Sequence, residues 1–550
     1  MNDSPKLRVR TILLCGATLL ITASAGAAER KMKIRERYLN LPISHAVERA
    51  RMTLEAEGAE SRQFVIRLAD GEPDYWVFCD MTPYLGRTLT VSYDGDGLAK
   101  IYQSDEIAGA DSLYRERTRP QLHYTQRRGW NNDPNGLLWY DGEYHLFYQH
   151  NPYEREWENM HWGHAISRDL VHWQELPEAL RPDSNGTVFS GSAVVDYDNT
   201  SGFGSRDNPP MVALYTGARP DRQVQCVAYS LDRGRTWRKY DGNPVIDSKE
   251  RWGSVDTRDP KVFRYEPNDE WVMVLNERDG HSIYTSENLK EWTYRSHTTG
   301  FWECPELFEL PVDGDPDNTR WVMYGASGNY MIGSFDGRTF TPEAGKFRYS
   351  GGAVYAAQTF NGIPARDGRR IQIGWEQVSH PGLPVKGCMT LPTCLTLRTT
   401  PLGIRMFCRP VRELETLELP GTEGTGLSTA EADALLRPYA GFENGLRLRF
   451  TLRLSHATGA GLSLDGQNLL DYDLNFNRVN GCFYSPADPT SMTVAVDMIL
   501  DRTSVELFVD DGAFVHYQER RPANGEGFRF RGNGIEVTDL KISPMKSIWE

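Results

Sequence analysis

Three acidic residues stand in settings that suit chemistry: Asp133 in WNNDPNG, Asp259 in TRDPKVF and Glu303 in GFWECPELF. Each lies at the edge of a strand-like run. Asp133 and Asp259 are each followed by proline, which biases the preceding residue toward extended backbone and so fixes the direction of its carboxylate. Cleaving a glycosidic bond needs one carboxylate to attack or activate water, and one protonated acid on the leaving oxygen. The neighbourhoods differ in the way such a division of labour requires. Asp133 sits among amide donors that favour an ionised carboxylate, and Glu303 among Trp302, Cys304 and Pro305, which favour a neutral carboxyl. Arg258 keeps the adjacent Asp259 ionised, and its remaining donors suit sugar hydroxyls. Each acid also has a plain structural reading: a turn residue, an ion-pair partner of Arg258, and a surface acid beside a buried tryptophan. In WNNDPNG, Asp133-Pro134-Asn135-Gly136 reads as the tight turn of a β-hairpin. That turn explains neither Trp130, Asn131 and Asn132 nor the later amides Gln149 and Asn151.

The elements that must position these acids show a repeat. SRDLVHW, SLDRGRTW, SENLKEW and SFDGRTF begin at Ser167, Ser230, Ser286 and Ser334. Each follows an apolar strand-like run and places a serine, an acid or amide, a turn and then a buried-type aromatic. Steps of roughly 50–60 residues suit propeller blades, and with the opening block 130–152 the count is about five. A four-stranded blade cannot bury both faces alone, so blades stack in a closed ring that presents strand ends to one axis. Unrelated hairpins that each end in an aromatic remain the alternative. Residues 33–117 alternate apolar and polar positions as a small N-terminal β domain, with helical periodicity only in AVERARMTLEAE. The ring is expected over 118–410 and a linker over 411–431, where PGTEGTGLSTAE is rich in Gly and Thr. Cleanly alternating runs over 432–550 fit a C-terminal β-sandwich. The expected class is therefore all-β.

Composition narrows the partners. A formal net charge of −14 argues against nucleic acid or an anionic membrane surface. Fourteen Trp and 26 Tyr suit sugar recognition, in which apolar ring faces meet polar hydroxyls. Lys6, Arg8 and Arg10 precede ILLCGATLLITA and the small residues ASAGAA, the pattern of a secretory signal over 1–28. The run is shorter than the ~20 residues of a membrane span, so a secreted or periplasmic protein is expected. Of eight cysteines, Cys15 falls in the signal, and the other seven are scattered without a Cys-x-x-Cys pair. That pattern is neither a zinc site nor a disulfide framework. DGDPDN (313–318) lacks the spaced ligands of a calcium loop, so no metal and no cofactor are expected.

WNNDPNG, FSGSAV, RDP, WECPELF, YAAQTF and RRIQIGW occur in this order, and together they resemble glycoside hydrolase family 32, the β-fructofuranosidases. The likeness runs from about Arg119 to Pro410, and LDRTSVELFVDDG resembles the sandwich signature of the family. The resemblance implies a five-bladed propeller, an axial site and a retaining double displacement. It implies Asp133 as nucleophile, Glu303 as general acid/base and Asp259 as the acid that binds ring hydroxyls. It further implies a sugar-holding set of Asn132, Gln149, Trp157, Ser190 and Arg258, with Trp375 as a stacking wall. Trp157, Trp162 and Trp375 have core packing between blades as their alternative, and Phe189 is either wall or core. Invertase-like members carry an acid shortly before the Tyr-Ala of YAAQTF, where this chain has Gly352, Ala353 and Val354. A less polar, roomier leaving-group side would favour levan or inulin over sucrose. An invertase or fructosyltransferase with the same acids is the alternative, and a non-catalytic carbohydrate-binding propeller is the alternative of another class.

Overall fold

The computed structural model describes residues 28–550, except 456, 485, 487, 489 and 522–524. All of the expected signal but Ala28 lies outside the described residues. Almost every described element is a strand; the α-helices are Lys249–Trp252 and Thr429–Leu436. No helix among the described residues is long and apolar enough to cross a membrane.

The middle of the chain is a series of antiparallel meanders. The first runs Gly129–Tyr140, Glu143–Asn151, His161–Ser167 and Trp173–Leu180. The second begins at Thr187–Val195 and the third at Thr257–Tyr265, each with three further strands. The fourth begins at Glu306–Val312. It joins through Val312 and Leu397 to a last group of Val354–Thr359, Arg370–Glu376, Thr393–Thr400 and Gly403–Pro410. Strands buried on both faces, such as Glu143–Asn151, need cover on each side. Clusters between neighbouring sheets supply it, one of them built on Leu138, Phe147, Trp162, Tyr215 and Cys226. Trp162 is wholly buried there, which places it in the core.

The serine–aromatic repeat has a physical basis in the turn between third and fourth strands. Ser167, Ser230 and Ser286 donate to Asp169, Asp232 and Asn288. Trp173, Trp237 and Trp292 donate their indole N–H to the carbonyls of Leu170, Gly234 and Leu289, three residues back. The opening block 130–152 is not a further unit, because it shares a sheet with SRDLVHW. Nor is WNNDPNG a hairpin corner. It lies inside the strand Gly129–Tyr140, which carries two bulges, and the chain reverses later, at Asp141-Gly142.

At the N-terminus, two small sheets enclose a core that includes Leu39, Leu41, Met52, Phe64 and Val91. The segment with helical periodicity is the strand Ala50–Glu55, because Met52 and Leu54 pair between Arg62–Ile66 and Thr88–Tyr93 and face that core. At the C-terminus, a seven-stranded and a five-stranded sheet pack over a second core. Thr422–Leu427, inside the Gly/Thr-rich stretch, pairs with Ile535–Met545 as an edge strand rather than running free. Ser428 then caps the helix Thr429–Leu436 in a capping box with Glu431.

Candidate active site

The three acids meet at the leading ends of the first strands. In Gly129–Tyr140, Thr187–Val195, Thr257–Tyr265 and Val354–Thr359 the register slips near that end, at Asn131/Pro134, Phe189/Gly191, Arg258/Lys261 and Tyr355/Gln358. A bulge re-aims a side chain that regular pairing would commit to one face. Here four bulges carry Asn132 and Asp133, Ser190, Asp259, and Ala356. Glu303 arrives on the segment just before Glu306–Val312. Asp259, Glu303, Cys304 and Ala356 all have positive φ (65°, 52°, 42° and 54°), conformations unfavourable for L-residues and held only by their surroundings. Asp259 N–H donates to Thr216 Oγ1 at 3.0 Å, and Glu303 N–H to Asn276 Oδ1 at 2.8 Å.

Cys304 links two of the acids. Its thiol lies 3.6 Å from both Asp133 Oδ2 and Asp259 Oδ2, and its N–H donates to Asp259 Oδ2 at 3.0 Å. Ser190 Oγ donates to Asp133 Oδ2 at 2.7 Å, and the Asn132 amide approaches Asp133 Oδ1 at 3.2 Å. Glu303 does not sit among apolar groups. Arg258 grips its Oε1 at 2.9 and 3.2 Å, and the Tyr355 hydroxyl donates to Oε2 at 2.6 Å.

The electrostatics also depart from the sequence expectation. Burial raises the Asp133 carboxyl against the donors Ser190, Asn132 and Cys304, and the Glu303 charge adds to the rise. Burial pushes Asp259 up to about 7, because Arg258 only partly offsets it while Asp133 and Glu303 repel its charge. Arg258 therefore does not keep Asp259 ionised; its hydrogen bonds go to Glu303, Asp256 and Gln223. Burial and repulsion by neighbouring acids thus keep protons on Asp133 and Asp259 that isolated carboxyls would lose.

The candidate sugar-holding set is divided. Asn132, Ser190 and Arg258 touch the acids directly. Gln149 lies across from the first bulge with its amide N–H₂ buried and without a partner, and the Trp375 indole N–H is likewise unmatched. Trp375 stands opposite Tyr355 in the register and meets Trp130 edge-on at 5.7 Å. Trp157 is 52% exposed and packs edge-on against half-buried Phe189, so neither is buried in the core. Other amides of the opening stretch are structural. Asn131 bonds Gln126, Asn135 accepts from Gly191 N–H, and Asn151 holds the 153–159 loop. The region of the missing acid is not simply open. Gly351 and Gly352 pair in parallel with Phe514–Glu519, and a Cβ on Gly352 would lie 2.0 Å from the Tyr517 carbonyl oxygen.

Tyr355, Gln223, Asp256 and Asn276 were not legible as site residues; only Tyr355 carried a signal, its place in YAAQTF. Away from the acids, His123, Glu376 and Glu506 form the one group among the described residues with metal-ligand proximity. The His123 ring is already engaged by Asp501 at 2.8 Å and Glu506 at 3.2 Å.

The family model described as the glycosyl hydrolases family 32 N-terminal domain matches residues 123–406. A levanase of Bacillus subtilis (strain 168) is 40% identical over 494 residues, spanning 80% of this chain and 72% of the relative. An extracellular exo-inulinase of Aspergillus awamori is 34% identical over 481 residues, spanning 72% of this chain and 88% of the relative. The crystal structure of an exo-inulinase from Aspergillus awamori superposes with a TM-score of 0.69 at 29% identity, covering 79% of this chain and all of that one. The acids thus lie within the matched span, and the chain belongs to glycosyl hydrolase family 32.

Proposed function

We propose that the protein is a secreted fructan hydrolase that removes terminal fructose from levan or inulin by a retaining double displacement. The observation that carries this reading is the convergence of Asp133, Asp259 and Glu303 around Cys304, with Arg258 and Tyr355 holding Glu303. The relatives named levanase and exo-inulinase support the substrate class. We read the five groups of strands as blades of a ring, followed by the sandwich and preceded by the small N-terminal domain.

In the first step Asp133 attacks the anomeric carbon of the terminal fructose while Glu303 gives a proton to the departing glycosidic oxygen. The covalent fructosyl–Asp133 ester is then opened by water, from which Glu303 takes the proton back. Asp133 must be ionised to attack, and Ser190, Asn132 and the Cys304 thiol supply donors to that form. Asp259, which titrates near neutrality, holds ring hydroxyls as acceptor or donor. Tyr355 and Arg258 aim the Glu303 carboxyl at the leaving oxygen. Trp157 and Trp375 give the sugar apolar faces, and the unmatched donors of Gln149 and Trp375 are available to its hydroxyls.

The test is a time course on purified protein with levan, inulin and sucrose, products separated by chain length, and Asp133→Asn as control. Free fructose from the first minutes, absent in the control, is expected. Oligosaccharides appearing first would make the action endo. Sucrose cleaved far faster than either polymer would make the protein an invertase. No product would leave a carbohydrate-binding protein without catalysis.

A further inference from the structure

One large concavity lies away from the acids. It has a volume of about 720 Å³ and lies at the trailing ends of the same first strands, lined by Leu138, Val195, Phe263, Tyr265 and Glu309 among others. Four to six residues separate Asp259 from Phe263 and Tyr265, which at ~3.3 Å per residue puts the two sites roughly 15 Å apart. Between them the passage is filled. Lys261 and Glu306, both wholly buried, meet at 2.8 Å, and Thr359 donates to Glu306 at 2.6 Å. The far cavity is therefore a separate site and not a back entrance to the acids.

Its walls have the chemistry of sugar recognition. Tyr265, Trp321 and Phe335 form a contiguous aromatic wall, with Trp321 and Phe335 ring centres 4.9 Å apart. Tyr197 stands at the rim, 54% exposed against Tyr140. Acidic and basic lining residues are equal in number, four of each. The cations are largely compensated: Lys261 by Glu306, Arg264 by Asp269, and Arg369 by Asp367 and Glu413. Because three of the lining cations pair with acids outside the lining while its own four acids remain, the wall disfavours an anion, and its aromatic faces beside polar groups suit a neutral polyol. Arg264 Nη1 is buried at this wall without a partner, a donor a ligand hydroxyl would satisfy. The volume is in the usual range for small-ligand sites and matches a few sugar units.

We propose that this cavity is a second, non-catalytic carbohydrate site that holds a neutral fructan segment while another chain end is cleaved at the acids. The substrate class rests on the function proposed above. The test is affinity electrophoresis of Asp133→Asn in gels containing levan, inulin or an anionic polysaccharide, with and without Tyr197→Ala or Arg264→Gln. Tyr197 is more than half exposed, so its truncation leaves the core intact. Retardation by levan or inulin is expected, weakened roughly three- to tenfold by either substitution. In the active protein the same substitutions should raise KM for polymer and leave turnover of sucrose or the shortest oligofructosides unchanged. Unaltered retardation in both variants overturns the second site, as does retardation by the anionic polymer alone. If the wild type cleaves no fructan at all, the catalytic reading fails instead, and the gel result separates the two failures.

Discussion

Asp259 is held at positive φ and almost wholly out of water, with its titration pushed up to about 7 from an ordinary 3.8. A raised carboxyl favours the folded state while protonated. Its contribution is therefore complete below pH ~4 and lost as pH rises through 7. A shift of about three units corresponds to ~4 kcal/mol at most. Asp259→Asn keeps the shape and the bond from Cys304 N–H but removes the charge. It should raise the melting temperature at pH 8, show a smaller gain at pH 5, and lower kcat by roughly a hundredfold or more. A melting temperature that does not differ from wild type at pH 8 would mean the site relieves this charge in another way. Arg258 makes a different argument: two of its nitrogens approach one Glu303 oxygen while a third bonds Asp256 and Gln223. Lysine cannot reproduce that fork. Arg258→Lys should cost about 1.5–3 kcal/mol of transition-state binding, read as a ten- to hundredfold fall in kcat/KM. The acids were legible because each stood in a short local motif. Tyr355, Asn276 and the inversion of the expected Asp133–Glu303 environments were not, since they depend on strands that meet only in the folded chain.

Bulged first strands deliver Asp133 and Asp259, while Glu303 comes from the segment before Glu306–Val312, and the bulges need specific residues. Gly136 has φ of 54°, and a Cβ there would lie 2.6 Å from the Phe147 ring and 3.2 Å from Trp162. Gly136→Ala must both strain the backbone and push on a closed core, at roughly 2 kcal/mol or more. Because Asp133 is three residues away on the same strand, kcat should fall along with the denaturation midpoint. A stability loss with full activity would show that the second bulge, Asn135/Leu138, does not help set the carboxylate carried by the first. The loop carrying Trp157 has a more distant support. Arg49 and Arg67 of the N-terminal domain bind Glu154 at 2.8 and 3.2 Å and also reach Glu156, while Asn159 pairs with Val65 and Tyr153 stacks on Phe64 at 3.7 Å. This gives the N-terminal domain a task the sequence did not disclose. Arg49→Ala should loosen the Trp157 loop and raise KM several-fold with kcat little changed; a fall in kcat at constant KM would place its effect elsewhere. Strand alternation had announced most of these elements. In WNNDPNG and AVERARMTLEAE, strand pairing and burial override the local turn and helix signals.

At the scale of the molecule, the central meanders and the sandwich are joined by a buried ionic knot. His123, at the start of the central part, donates at 2.8 Å to Asp501 and at 3.2 Å to Glu506, both from the sandwich motif LDRTSVELF. Asp501 also accepts the backbone N–H groups of Gln121, Leu122 and His123, and Glu506 accepts that of Leu391. Burial pushes the imidazole down, but Glu376, Asp501 and Glu506 outweigh it and hold its titration well above the ordinary value, so the ring is charged at neutral pH. Glu376 follows Trp375 directly, which ties this knot to the wall of the candidate site. The sandwich also reaches the central part through Gly351–Gly352, and Phe508, Val515 and Tyr517 share one core with Phe308 and Tyr324. The two parts should therefore unfold in a single calorimetric transition. Removing one partner of a buried charge cluster strands the others, at about 3–5 kcal/mol. His123→Ala strands the Asp501 carboxylate and removes the cation facing Glu376 and Glu506, whose carboxyls burial already pushes up, Glu376 to about 7, and its cost should fall on the contact between the parts. The expected thermogram divides into two peaks, with activity lost at the lower one. A single peak shifted only slightly would mean that the apolar core alone binds the sandwich to the catalytic part.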